Sequence, residues 1–187
     1  MGPYNRFALW TQGCPFSCAG CMTPDSQSFE GGQDISVETI AELILNIQDI
    51  EGITITGGEP FAQSEPIVRL LKILKKQKDF GVIVYSGYTM KQLNQKNSHI
   101  IKEFLNLIDT LIDGKYIEML NDGKSARGSS NQQICQLTSR YDKIYNTYCK
   151  ENSRNIELHL QKEQIMVVGI PKKDTIAKLN NFLLKTS

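Results

Sequence analysis

Strand-like apolar runs alternate with amphipathic helical stretches from Phe7 to Asp113, and this alternation restricts the fold more than any other feature of the chain. Phe7-Ala8-Leu9-Trp10 is the first strand. Ser36 is placed to cap a helix in which Ile40, Leu43, Ile44 and Ile47 recur at helical spacing, and Gly52 then introduces the β-rich run Ile53-Thr54-Ile55-Thr56. Ser64 stands ready to cap a second helix, with Ile67, Leu70, Leu71 and Leu74 on one face, followed by Val82-Ile83-Val84-Tyr85. After Thr89 a less regular helical region reaches Phe104 and Leu105, and a fourth apolar run at Leu111 and Ile112 stops at Asp113-Gly114-Lys115. Units of roughly 30 residues in this order predict right-handed crossovers and a parallel sheet with helices outside it, an α/β fold.

Downstream the pattern weakens. Residues 121–155 are polar and contain glycine and serine, so loops and short elements are expected around Arg127-Gly128-Ser129-Ser130-Asn131-Gln132. Glu157 to Leu160 and Ile165 to Val168 flank a polar Gln161-Lys162-Glu163-Gln164 turn and read as a hairpin. Ile176, Leu179, Phe182 and Leu183 predict a closing helix. About four to six strands are too few for a full eight-unit barrel. The 187 residues are expected to form one domain, with a core at about 5–140 and carboxy-terminal elements at about 141–187 that carry no assigned role.

Cys14, Cys18 and Cys21 lie in the loop that follows the first strand, with three residues and then two between them. Thiolates are soft ligands for iron-sulfur clusters or zinc, and three on so short a loop can wrap only one small centre. A cubane [4Fe-4S] cluster takes one ligand on each of four irons, so three cysteines leave one iron open to another ligand. Five cysteines in all, three of them crowded, fit a reduced metal-binding loop better than a disulfide framework. Cys135 and Cys149 read as small buried hydrophobes or idle thiols. His99 and His159 do not stand at ligand spacing from the cysteines and read as surface or packing residues.

Charge excludes several function classes. Twenty-one lysines and arginines nearly balance twenty aspartates and glutamates, too even for a nucleic-acid or anionic-membrane surface. Lysines 72, 75, 76 and 78 read as a solvated helix face, with a dock for an acidic partner as the lesser alternative. No run approaches the roughly 20 apolar residues of a membrane span, and the start lacks the apolar core of a signal peptide. A soluble cytoplasmic protein is expected.

In parallel α/β folds ligands bind beyond the carboxyl ends of the strands. Here those ends carry the cysteine loop, Gly57-Gly58-Glu59-Pro60, Ser86-Gly87-Tyr88 and Asp113-Gly114-Lys115. Two glycines let a ligand approach the backbone at Gly57 and Gly58, and Glu59 beside them offers a carboxylate to an ammonium group; the bland alternative is an ordinary acid in a turn. Asp113 and Lys115 are either ligand contacts for hydroxyl and carboxylate groups or solvated loop charges.

The segment Cys14-Pro15-Phe16-Ser17-Cys18-Ala19-Gly20-Cys21, followed by Gly57-Gly58-Glu59-Pro60, resembles the radical S-adenosylmethionine superfamily. Within it the chain is similar to the activating proteins of anaerobic ribonucleoside-triphosphate reductase, through Asn5-Arg6-Phe7, Gln12-Gly13-Cys14, Ser86-Gly87-Tyr88-Thr89, Leu111 to Tyr116 and Arg127 to Gln132. The likeness covers residues 5 to about 140. It implies a partial (β/α) barrel in which Cys14, Cys18 and Cys21 ligate three irons of a [4Fe-4S] cluster and S-adenosylmethionine chelates the fourth. It also implies that Gly57, Gly58 and Glu59 meet the methionyl ammonium, that Gly20 and Met22 flank the adenine, and that Asp113, Gly114 and Lys115 lie along the cofactor. The implied reaction is reductive cleavage of S-adenosylmethionine to a 5′-deoxyadenosyl radical that takes a hydrogen from a glycine of a partner protein. A flavodoxin- or ferredoxin-type protein would supply the electron. No catalytic acid or base is expected of this chain.

Relatives usually carry Gly-Pro-Gly before the arginine, where this chain has Gly2-Pro3-Tyr4. The segment covering one mouth of the site is therefore expected to be shortened, or the native start to lie upstream of Met1. Three rivals stand beside this reading. The same chemistry could act on a small molecule or ribosomal peptide, as in deazaguanine synthases or peptide maturases. A non-catalytic iron-sulfur carrier would need a fourth nearby cysteine. A structural zinc site would need a nearby histidine.

Overall fold

A computed structural model describes residues 1–124, 126–151, 154, 156–161, 164–172 and 174–186. Four strands, β1 (Arg6–Thr11), β2 (Gly52–Gly57), β3 (Gly81–Tyr85) and β4 (Thr110–Asp113), lie side by side in chain order and run parallel. Between them come α1 (Val37–Leu45), α2 (Ser64–Gln77), α3 (Met90–Gln95) and α4 (His99–Asn106). When every crossover is right-handed and steps one strand the same way, the helices collect on one face of the sheet.

Packing follows that rule. Alternate strand residues Ile53, Ile55, Val82, Val84 and Leu111 are fully buried beneath Ile44, Leu70, Leu71, Leu74 and Phe104 of the helices. Their neighbours Thr54, Ile83 and Ile112 point to the opposite face, where Ile83 and Ile112 pack with Tyr141 and Tyr145. Tyr145 belongs to α5 (Asp142–Glu151).

The expectation of parallel strands alone is corrected by β5 (Gln133–Gln136), which pairs antiparallel with β4. The sheet is open, with β1 and β5 at its edges. The region expected to hold loops and short elements contains the four-residue β5 and, beyond that expectation, the ten-residue α5. Neither had an apolar period to announce it, since Gln133-Ile134-Cys135-Gln136 gains its order from β4. Ser36 caps α1 as expected, accepting a bond from the Thr39 amide. Ser64 does not cap α2: it is the helix's first residue, and its hydroxyl donates 2.8 Å to the Phe61 carbonyl of a preceding short turn.

The hairpin appears as β6 (Ile156–Gln161) and β7 (Gln164–Gly169), a separate two-stranded sheet, and α6 (Thr175–Thr186) follows it. Lys162 and Glu163 of its turn, and the side chains of Cys149 and Leu183, lie outside the described residues. Among the described residues no helix is long and apolar enough to cross a membrane.

The two ends of the parallel strands differ in kind. At the amino end the Arg6 side chain, 3% exposed, donates to Glu51 Oε2 and the Tyr141 hydroxyl at 2.7 Å, and to the carbonyls of Ile53 and Gly81. The Tyr141 hydroxyl donates in turn to Glu51 Oε2 at 2.6 Å. At the carboxyl end the loops enclose a cavity.

Candidate metal centre and cofactor cavity

The loop after β1 is fastened before its cysteines begin. Gly13 N donates to Ser26 O and Cys14 N to Gln27 O, both at 2.9 Å, which folds residues 13–27 back on themselves. The Gln12 carbonyl accepts from Gln63 Nε2 at 2.7 Å. The neighbouring loop grips the same segment through Glu59 N to Gly13 O at 2.9 Å and Thr23 Oγ1 to Gly57 O at 3.2 Å. Gly58 has no room for a side chain, because a Cβ there would stand 2.3 Å from Gly13 O. Gly87 is equally constrained by the Phe16 ring, 2.3 Å from where its Cβ would lie.

Phe16 sits between the first two cysteines. Its ring meets Tyr88 edge-on at 4.8 Å, and Lys115 Nζ lies 4.6 Å from its centroid. These contacts tie the cysteine loop to the loops after β3 and β4.

Cys14, Cys18 and Cys21 all line the cavity, which lies on the face of the sheet opposite α1, α2 and α4, over Trp10, Thr56 and Tyr85. Burial pushes the Cys14 and Cys18 thiols up, partly offset by the backbone N–H groups of Phe16 and Tyr116. Gly57, Gly58, Gly114 and Met22 also line it. Gly20, Glu59, Asp113 and Lys115 are not among its lining residues.

Glu59 is fully buried, and its carboxylate accepts from Phe61 N and Ser86 Oγ at 2.9 Å and Gly87 N at 2.8 Å. It braces the β2 loop against the β3 loop. Asp113, 4% exposed, accepts from Met90 N at 2.7 Å and Gln133 N at 3.2 Å, linking α3 and β5 to the end of β4. Gly20 packs against the Glu118 carboxylate, and Lys115 is exposed. Gln132 accepts from Gly128 N and Ser129 N and donates 2.7 Å to Gly114 O, so the Arg127–Gln132 stretch closes onto the cavity wall.

Sequence reading missed several wall residues. Tyr116, Asn121, Val167, Gly169, Ile170 and Pro171 reach the cavity from distant or carboxy-terminal segments. No local spacing marks them, because only the tertiary fold brings the hairpin over the sheet.

The donor set can be tested against a metal. Among the described residues the cavity is lined by three thiols and by no histidine, aspartate, glutamate or fourth cysteine. No three such side chains among the described residues converge closely enough to hold a single ion. Tetrahedral zinc is a poor match. A larger iron-sulfur centre, held at three corners and left without a protein ligand at the fourth, matches the donors present.

Fold and site together define a single-cluster iron-sulfur protein on a mostly parallel α/β sheet, and residues 1–135 match the 4Fe-4S single cluster domain family. The chain is 30% identical over 145 residues to the anaerobic ribonucleoside-triphosphate reductase-activating protein of Vibrio cholerae, covering 73% of this chain and 91% of that one. It is 32% identical over 142 residues to the protein of the same name from Enterobacteria phage T4, covering 73% and 87%. The pyruvate formate-lyase-activating enzyme of Clostridium pasteurianum is 30% identical over 92 residues, 46% of this chain and 39% of the enzyme. The chain thus belongs to the family of anaerobic ribonucleoside-triphosphate reductase-activating proteins, enzymes of the radical S-adenosylmethionine superfamily.

Proposed function

We propose that this chain activates a glycyl-radical enzyme, an anaerobic ribonucleoside-triphosphate reductase, by reductive cleavage of S-adenosylmethionine at a [4Fe-4S] cluster. The observation that carries the reading is a cavity lined by three thiols and, among the described residues, by no histidine, carboxylate or fourth cysteine, in a chain of this family. When bound, the cluster and S-adenosylmethionine supply an electron and a carbon-centred radical able to take a hydrogen from a glycine Cα.

The protein's own part is holding and shielding. Cys14, Cys18 and Cys21 give up protons on ligation, so loading is coupled to pH. Phe16, clamped between Tyr88, Gly87 and Lys115, keeps the loop from shifting. Gly57 and Gly58 offer backbone to the ammonium of S-adenosylmethionine, and Met22 and Gly114 bound the rest of the cofactor. Glu59, Asp113, Gly20 and Lys115 act indirectly, by fixing the loops that make contact. Trp10, Tyr85, Val167 and Ile170 exclude water and stray hydrogen donors from the radical.

In this reading residues 1–187 form one domain, and the open sheet is the partial barrel of the superfamily. Its unclosed side admits a polypeptide loop. The protein works in the reducing cytoplasm with a flavodoxin- or ferredoxin-type donor, away from nucleic acid and membrane.

Anaerobic reconstitution with iron and sulfide is expected to load about four irons per chain. Reduction with S-adenosylmethionine present should release 5′-deoxyadenosine, and Cys14→Ser, Cys18→Ser or Cys21→Ser should each abolish it. Adding the cognate reductase should then produce a glycyl-radical resonance. Zinc in place of iron, or no 5′-deoxyadenosine, overturns the chemistry; 5′-deoxyadenosine without a radical on the reductase overturns the partner alone.

A further inference from the structure

The family match ends at residue 135, but the cavity does not. Val167, Gly169, Ile170 and Pro171 form part of its wall, at the end of β7 and just past it. The hairpin that carries them makes no strand pairing with β1–β5, and a lone two-stranded hairpin is marginal in water. Something else must hold this wall in place.

Arg154 is the residue so placed. Its side chain is 2% exposed, which is rare for a guanidinium and requires partners for its fork of donors. Nη1 donates to Asn121 Oδ1 at 2.7 Å and to Pro171 O at 3.2 Å. Nη2 donates to Gly128 O at 3.1 Å, to Arg127 O and to Lys124 O, which also accepts from Nε at 3.3 Å. Asp122, itself paired with Arg127 at 3.0 Å, stands 3.8 Å away as the nearest countercharge. Arg154 precedes β6 and Pro171 follows β7, so one side chain ties both stems of the hairpin to the loop at 121–128. Asn121, Gly128 and Pro171, three of its partners, line the cavity themselves.

We propose that Arg154 is a positioning residue that holds the carboxy-terminal wall of the cavity in place and thereby sets how tightly the cavity retains S-adenosylmethionine. This rests on the reading that the cavity takes that cofactor. Arg154 touches no reacting atom. Val167, Ile170 and Pro171 bring apolar surface, which acts by excluding water and does so only while it stays at the cavity that Asn121 and Tyr116 also line.

The test uses the full chain, loaded anaerobically, as wild type, Arg154→Ala, Arg154→Lys and Ile170→Ala. Binding of S-adenosylmethionine by equilibrium dialysis should weaken roughly tenfold in Arg154→Ala, as expected when a supporting contact lets a site loosen. Arg154→Lys, which keeps the charge but loses the fork, should recover part of the loss. Ile170→Ala should weaken binding without touching the pin; if Arg154→Ala does not fold, Arg154→Lys decides the matter, and wild-type binding and hairpin exchange in it overturn the proposal. Hydrogen exchange at the Val167 and Ile170 amides should quicken in Arg154→Ala while β1–β4 exchange as before, with iron content unchanged. Binding within twofold of wild type in the folded Arg154→Ala, or unchanged exchange in the hairpin, overturns the proposal. If wild type itself fails to bind S-adenosylmethionine, the cofactor reading falls and the retention claim falls with it; the exchange data then still judge whether Arg154 holds the wall.

Discussion

Glu59 holds three donors without touching solvent, and it does so one residue away from the glycines that face the cavity. Burial raises its pKa above the usual carboxylate value, outweighing the donors, which favour the charged form. A carboxyl with a folded pKa above its unfolded one binds more protons when folded across the interval between them. Its contribution to stability is therefore full below the unfolded value of about 4.3 and declines as pH rises through the folded value. Glu59→Gln does not titrate. The stability of wild type relative to that variant, measured by urea unfolding, should fall as pH climbs through this interval, and a difference that is flat with pH would refute the assignment. At neutral pH the variant should still cost about 1–3 kcal/mol, because an amide cannot accept all three bonds. That Glu59 belongs to the site region was legible in Gly57-Gly58-Glu59-Pro60; where its carboxylate points was not. Direction is set by Ser86 and Gly87, 27 and 28 residues away.

Helix α3 shows the element scale. It spans only six residues and is closed at its start by a reciprocal pair, Gln92 N donating to Thr89 Oγ1 at 3.3 Å and Thr89 N donating to Gln92 Oε1 at 2.8 Å. Asp113 secures the same turn through Met90 N. Thr89→Ala should lower unfolding free energy by about 1 kcal/mol while iron loading stays at the wild-type level, read by denaturant midpoint and metal analysis. A loss of iron in that variant would mean the cap also supports the cysteine loop. Strands β1 to β4 and helices α1 and α2 were legible because their apolar residues repeat at periods of about two and 3.6. Thr89 was legible as a break, whereas the split into α3 and α4 was not, since Asn97 takes a positive φ of 45° that its neighbours do not announce. Strand β5 and helix α5 escaped notice for another reason. Their order comes from β4 and from Tyr141 and Tyr145 packing beneath Ile83 and Ile112, contacts far away in sequence.

Across the whole molecule, the parallel strands separate two kinds of chemistry. The amino end carries Arg6, Glu51 and Tyr141, joined by Arg140 to Asp79 and Asp109. The Tyr141 hydroxyl, its pKa pushed far up by burial and by Glu51, is a neutral donor at any physiological pH. Tyr141→Phe leaves Glu51 and Arg6 each short of one bond and should cost about 1–3 kcal/mol in thermal or urea unfolding. Cofactor loading and 5′-deoxyadenosine yield should be unaffected at a temperature where both proteins are folded; a selective fall in yield would show that the two ends communicate. The cysteine loop and the glycine loops were legible because ligand chemistry needs particular residue types at short spacing. The far wall, built by the hairpin and pinned by Arg154, was not, because its residues are ordinary and its place is decided by topology.

The distance between the clasp at one end of the strands and the cysteines at the other has a practical side. Hardiness and reactivity are lodged at opposite poles, so an engineer seeking a tougher catalyst can work where nothing reacts. Drift in nature can likewise retune heat tolerance there without disturbing the cysteine loop at the other pole.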